Sequence, residues 1–251
     1  MALPRVLIRG IIRVSGSIKY LERRNRAMNS LTVIFDVGGT LLSSPDLHHA
    51  IATNLLDRES DRETRDFVEG IFVDITQNQK PYRRVEERIA ATLAVMAREY
   101  GYQDISSRTH DIYDDVFFLR SYLFPETPDA LETLHAHSVR MIIASDADAG
   151  LVDAQVARHH LEKYFAEICT SDQVEAFKPS SKYVELLKKY VLDNEENCYF
   201  VGDGIQDVEC GRRLGIKSVL VDRRGLNGDT GADYVIPDLS GLVQVLSLEQ
   251  D

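Results

Sequence analysis

Two aspartates standing just past apolar runs are placed to do chemistry. Asp36 follows Val33-Ile34-Phe35, and Asp203 follows Tyr199-Phe200-Val201-Gly202. Ser145 stands the same way after Met141-Ile142-Ile143-Ala144, and Lys178 lies within Phe177-Lys178-Pro179. Paired carboxylates are hard oxygen donors of the kind magnesium takes, together with waters and phosphate oxygens. A serine hydroxyl and nearby amides can donate to an anion, and a lysine supplies a point positive charge to hold it. Gly38 and Gly39, directly after the first aspartate, let the backbone turn sharply and approach an anion. Each signal alone also fits an ordinary turn, loop entry or helix cap. Their order, and their shared place where strands end, turn them into one phosphate-and-magnesium site.

Such a site needs strands whose ends lie side by side. From Leu31 onward, short β-rich runs end in Gly, Asp or Ser: 31–35, 139–144, 166–170, 198–201, 218–221 and 233–236. Helical stretches at 149–161, 181–191, 207–214 and 239–246 alternate with the later runs. That alternation predicts a parallel sheet with helices on both faces. Ligands of such sheets bind beyond the carboxyl ends of the strands, where Asp36, Ser145 and Asp203 would converge. Residues 46–122 read differently, with no clear strand. Val85, Ile89, Leu93, Met96, Ala97 and Tyr100 share one helical stripe, Phe67, Val68, Ile71, Phe72 and Ile75 another, and Ile112, Val116 and Leu119 a third. The expected organisation is a core of 29–45 and 123–251 carrying an inserted helical unit at 46–122.

Composition narrows the function classes. With 44% apolar and 27% charged residues in 251, the chain reads as globular, and no apolar run is long enough to span a bilayer. Cys169, Cys198 and Cys210 are odd in number and lack zinc-site spacing, which points to reduced thiols and a cytoplasmic setting. The net charge is −11, unevenly spread: residues 1–28 hold seven basic residues and one acid, so the remainder carries −17. An acidic body speaks against a nucleic-acid partner. It does not exclude a phosphorylated small molecule held by local donors and a metal. The basic head, 1–28, reads as sequence ahead of a start at Met28, with an organellar address or a membrane-surface helix as alternatives. A monomer or homodimer is expected.

Taken together, Asp36-Val37-Gly38-Gly39-Thr40, Ser145, Lys178-Pro179 and Gly202-Asp203-Gly204-Ile205-Gln206-Asp207 resemble the haloacid dehalogenase-like hydrolase superfamily. The likeness covers about residues 31–238 and includes Phe124-Pro125-Glu126-Thr127-Pro128 and Thr170-Ser171-Asp172. The resemblance implies an α/β fold, a Rossmann-like parallel core with an α-helical cap of the C1 type, subfamily I. It implies Mg2+-dependent hydrolysis of a small phosphorylated metabolite. Asp36 would be the nucleophile that forms an aspartyl-phosphate. Asp36, the Gly38 carbonyl and Asp203 would hold the metal, with Asp207 completing the metal shell from behind. Gly39, Ser145, Asp146 and Lys178 would bind the phosphoryl group, Lys178 also keeping Asp36 ionised.

One departure matters. Phosphatases of this family carry a second aspartate two residues after the nucleophile, where this chain has Gly38. Glycine cannot act as a general acid or base, a loss typically worth about 10²–10⁴-fold in rate. Three expectations remain open: a substitute acid from the cap (His48, His49 or Tyr82), a substrate that needs no acid, or a catalytically weak module that binds phospholigands or proteins. A phosphonatase-like hydrolase, with Lys80 as its Schiff-base amine, is a further alternative. Asp203 with Asp207 favours the magnesium-dependent branch over the metal-free dehalogenases.

Overall fold

The computed structural model describes residues 31–78, 81–225 and 228–248. The basic head and Lys80 therefore lie outside the described residues.

The strand β1 (Thr32–Phe35) is buried throughout and forms the middle of the molecule. It pairs in parallel with β4 (Arg140–Ser145) on one side and β6 (Cys198–Gly202) on the other. Outside these lie β5 (Phe165–Thr170), β7 (Lys217–Val221) and β8 (Tyr234–Ile236), giving one parallel sheet in the order β5-β4-β1-β6-β7-β8. Each expected run is one of these strands. Alternation along β1 divides the core. Val33 and Phe35 join Ile143, Val201 and Leu131 on one face, and Ile34 joins Ile142, Phe200 and Tyr183 on the other. The helices α5 (Thr127–Ala136), α6 (Ala149–Arg158) and α9 (Leu242–Val245) cover the first face. The second is covered by α7 (Ser181–Lys188) and α8 (Ile205–Leu214). The stretch expected as one helix at 239–246 is a 3₁₀ turn, Leu239–Gly241, running into α9.

Between β1 and α5 the chain leaves the sheet. It forms α1 (Leu47–Leu56), α2 (Arg62–Gln77), α3 (Val85–Tyr100) and α4 (Thr109–Asp114), closed by a π-helical turn, Asp115–Leu119. Local signals set the ends. The Asp46 carboxylate accepts the His48 and His49 N–H groups at 2.9 and 3.0 Å, and Gly101 ends α3 with φ 73°. The stripes pack into a cluster of their own, Val68, Phe72, Ile89, Leu93, Met96, Ile112 and Val116, joined from the core side by Leu151. Phe67, Tyr100 and Leu119 depart from the stripes, being 37%, 48% and 74% exposed.

A two-stranded antiparallel ribbon, β2 (Leu42–Ser43) with β3 (Tyr122–Leu123), ties the two connections of this helical unit together. It lies at the borders of the helical stretch, with only Tyr122 falling inside 46–122. Strands of two residues, with Tyr122 exposed, carry no period to read.

Candidate active site

The register of β1 fixes the site. Phe35 pairs with Ile143 and Val201, so Asp36 comes abreast of Ala144 and Gly202, and its N–H continues the ladder to the Val201 carbonyl at 2.9 Å. Ser145 and Asp203 each stand one residue further on. Among the described residues Asp36, Asp203 and Asp207 offer carboxylate oxygens that all lie within 4.8 Å of one another.

Lys178 enters from the loop between β5 and α7, and its Lys178–Pro179 bond is cis. Its ammonium donates to Asp36 Oδ1 at 2.6 Å, Asp207 Oδ1 at 2.7 Å and the Ala144 carbonyl at 3.2 Å. All three of its N–H bonds are thereby used. Burial opposes the charge, but the carboxylates of Asp207 and Asp36 outweigh it and hold the pKa well above the ordinary lysine value. The Asp203 carboxyl goes the other way. Burial, and then the nearby charge of Asp36, push it from 3.8 up to about 7. Burial also raises Asp207, with the Lys178 charge working against the shift.

Two glycines make room for this crowding. A Cβ on Gly39, whose φ is 80°, would stand 2.0 Å from Asp203 Oδ2, and one on Gly202 would stand 2.2 Å from the Asp207 carboxyl carbon. Asp207 thus turns back beneath the strand end, where its second oxygen accepts the Gly204 N–H at 3.1 Å. Gly38 is different. A Cβ there meets nothing within 4 Å, and Gly38 is not among the residues with positive φ. The position would accept a side chain.

The residues expected to bind phosphate are placed unequally. Ser145 Oγ accepts the Ala147 N–H at 3.1 Å, which leaves its own proton free to donate to an anion. Asp146 accepts the Lys178 N–H at 2.7 Å, so its carboxylate steadies the lysine loop and offers an anion no proton. Burial raises its pKa, with Lys178 pulling it back down. The Gly39 N–H is committed to the Leu42 carbonyl at 2.8 Å, so Gly39 shapes the loop without donating from that group. Thr40, which sequence reading left without a role, points its hydroxyl at Asp36 Oδ2 from 3.5 Å.

Asp36, Ser145, Asp146, Lys178 and Asp203 line a cleft of about 340 Å³ between the sheet and the helical unit. His48 also lines it, and burial holds the pKa of its imidazole below the ordinary value. The other two expected substitutes for the missing acid lie elsewhere. The His49 ring is bonded to Ser60 Oγ and Glu59, and the Tyr82 hydroxyl to Ser171 Oγ at 2.6 Å. Neither lines the cleft.

Sequence reading missed two arginines. Arg223, just beyond β7, donates to the carbonyls of Gly39 at 3.2 Å and Thr40 at 2.9 Å and to Glu126 at 2.6 Å, pinning the loop that follows Asp36. It stands in a polar loop run, Asp222-Arg223-Arg224, that carries no local signal. Arg88 lines the cleft from α3. Its signal was available: with Val85, Ile89 and Thr92 it falls on the buried stripe, where an arginine is out of place.

The chain matches the family model of haloacid dehalogenase-like hydrolases over residues 33–221. It is 26% identical over 227 residues to a phosphoglycolate phosphatase of Aliivibrio fischeri, an alignment covering 86% of this chain and 96% of that one. It is 23% identical over 228 residues to the pyrophosphatase PpaX of Oceanobacillus iheyensis, covering 87% and 98%. In fold it is similar to the HAD-hydrolase YfnB of Bacillus subtilis, solved bound to magnesium, with a TM-score of 0.68 at 17% identity over 87% of this chain and 99% of that one. The chain belongs to the haloacid dehalogenase-like hydrolases and is a hydrolase of the α/β type.

Proposed function

We propose that this haloacid dehalogenase-like hydrolase is a magnesium-dependent phosphatase that acts on a small phosphorylated metabolite through an aspartyl-phosphate on Asp36. The observation that carries the reading is the Lys178 ammonium, 2.6 Å from Asp36 and 2.7 Å from Asp207 in a buried site. Its charge stands directly against the Asp36 carboxylate, which would act as the nucleophile. The names of the phosphatase relatives support the same chemistry.

The donor set fits magnesium. Three carboxylates crowd within 4.8 Å of one another with Lys178 as their counter-charge, and Asp203 is partly open to the cleft. Asp36, Asp203 and the Gly38 carbonyl would hold the cation. The Gly38 carbonyl is left out of the backbone bridge, which Val37 and Gly39 make with Leu42. Both oxygens of Asp207 are engaged by Lys178 and Gly204, so Asp207 acts through Lys178 from behind. Bound magnesium would neutralise charge on the phosphoryl oxygens.

In the first step an Asp36 oxygen attacks phosphorus, and the bond from phosphorus to the ester oxygen breaks. Ser145 donates to a phosphoryl oxygen, and Lys178 fixes the other Asp36 oxygen. In the second step water attacks the aspartyl-phosphate, releasing phosphate and restoring the carboxylate. Gly38 supplies no proton to the departing oxygen, so phosphates with acidic leaving groups are the favoured substrates. Any proton given by the cleft wall falls to His48, the expected substitute that lines the cleft. The helical unit acts as a cap that keeps bulk water from the acyl phosphate, and a cytoplasmic setting suits the reduced buried thiols.

The test is turnover of an aryl phosphate with and without Mg2+, in the wild type and in Asp36→Asn. Metal-dependent release of phosphate that vanishes in the variant is expected. Turnover that survives Asp36→Asn would remove the nucleophile from the proposal.

A further inference from the structure

Lys178 owes its place to the loop between β5 and α7, and that loop is held from both sides. On the sheet side the Lys178 backbone N–H donates to Asp146 Oδ1 at 2.7 Å. The preceding residue faces the other way. The Phe177 ring belongs to neither apolar cluster of the sheet. Its ring contacts are with the helical unit: the Tyr82 ring is centred 5.1 Å away, and Arg88 Cζ lies 4.6 Å from its centroid. A second line of contact runs through the start of the same loop. The buried Ser171 hydroxyl donates to the Asp146 carbonyl at 2.9 Å, and the Tyr82 hydroxyl donates to Ser171 Oγ at 2.6 Å. Arg88 reaches the same Asp146 carbonyl at 3.3 Å, and Arg84 pairs with Asp172 at 3.6 Å. The Ser171 carbonyl in turn accepts the Ala176 N–H at 3.1 Å, which closes the loop just ahead of Phe177. Tyr82 thus touches this loop at both ends.

We propose that Tyr82 is a positioning residue for the reaction: by gripping the loop at Ser171 and Phe177 it sets where Lys178 presents its ammonium to Asp36. This rests on the phosphatase reading of the Asp36 site. Tyr82 does not line the cleft, so it reaches the reacting centre through the loop and not through the substrate. A small displacement has a large consequence there. The ammonium spends its N–H bonds on Asp36 at 2.6 Å, Asp207 at 2.7 Å and the Ala144 carbonyl at 3.2 Å, and none is left over to absorb a shift. A charge that serves a phosphoryl transition state acts through fixed geometry, and a misplacement of about 1 Å costs on the order of 100-fold. A ring with a polar tip suits position 82, because its face takes Phe177 while its hydroxyl reaches the buried serine.

The competing role is mechanical: the same contacts could do no more than fasten the helical unit to the sheet. A fastening lowers Tm but leaves the kcat of the folded enzyme and the Lys178 ammonium as they are. Tyr82→Ala is expected instead to lower kcat for an aryl phosphate, with Mg2+, by on the order of 100-fold while KM is unchanged. Tyr82→Phe keeps the ring on Phe177 and should recover most of that loss. Wild-type kcat in Tyr82→Ala, or a change confined to KM, overturns the inference. If Tyr82→Ala does not fold, Phe177→Leu decides, since it removes the face that Tyr82 grips: a fall in kcat supports the inference and an unchanged kcat overturns it. A second readout needs no turnover. In protein with isotope-labelled lysines, the NMR signal of the Lys178 ammonium, identified by its loss in Lys178→Arg, is shielded from exchange by its hydrogen bonds. Tyr82→Ala should shift that signal or speed its exchange, and Tyr82→Phe should move it less. A signal unmoved in Tyr82→Ala overturns the inference whether or not phosphate is released. A signal that moves, in a protein whose wild type hydrolyses no phosphate, sinks the phosphatase reading and leaves the hold of Tyr82 on Lys178 standing. Hydrolysis by the wild type with an unmoved signal does the reverse.

Discussion

The two walls of the cleft satisfy their charges in opposite ways. On the sheet side Lys178 uses all its N–H bonds and Asp207 both its oxygens, so the carboxylate cluster is tied to a fixed counter-charge. On the helical side Arg88 and Ser121 keep unmatched atoms behind apolar walls. A self-satisfied wall is ready for one chemistry whatever substrate arrives. The helical wall leaves polar atoms unmatched within the fold.

Breaking the sheet wall should have the largest effect. Lys178→Met strands the Asp36 and Asp207 carboxylates in a buried site. It is expected to abolish turnover and to lower the free energy of unfolding by about 3–5 kcal/mol, the cost of removing one partner of a buried ion pair. Urea unfolding of the variant measures this, and near wild-type stability would show that the network is not held by the lysine. Asp203→Ala should affect binding more than folding. Loss of a direct ligand should weaken magnesium affinity by at least the roughly 10- to 100-fold that loss of an outer partner costs. Retained magnesium-dependent activity in that variant would remove Asp203 from the site.

A smaller effect sharpens the same contrast. Rates of the wild type should fall steeply as leaving-group pKa rises. Gly38→Asp has open space for its side chain and should raise rates on alkyl phosphates about 10- to 100-fold while changing aryl phosphates little. A leaving-group series on both proteins checks this, with melting curves as controls. A flat series in the wild type would mean that another group, His48 first, already gives the proton.

The smallest effect concerns pH. Asp203 titrates near 7 in the fold against 3.8 ordinarily, so the folded state binds the extra proton between those values. A raised carboxyl pKa contributes stability at low pH that is lost as pH rises toward 7, and the metal-free protein should weaken across that window. Protons and magnesium compete for the same oxygen, so the rise in Tm caused by magnesium should grow over that same interval. A magnesium effect independent of pH would contradict the assignment.

How far the sequence reaches differs between the walls for a physical reason. On the sheet side the motifs are local: an apolar run must end, and the residue just past it must lie at the strand tip. Asp36, Ser145 and Asp203 could therefore be placed from alternation alone, as could all six strands of the parallel sheet. The ribbon β2–β3 was too short to leave a pattern, and the helix expected at 239–246 began as a 3₁₀ turn. The commitments of Gly39 to Leu42 and of Asp146 to the Lys178 amide were equally hidden, because a hydrogen bond between loops depends on where both loops go.

Sequence alone thus determined the parallel core, the helical character of the segment between β2 and β3, and which groups gather at the strand ends. Tertiary structure decided which of the arginines matter and what each faces. Arg88 lies 58 positions from the Asp146 carbonyl it touches, and Arg223 lies 184 from that of Gly39. No periodicity links such positions. Their pairing is set by how α3 seats on the sheet and how β7 lines up beyond β6, which follow from burying apolar faces all along the chain.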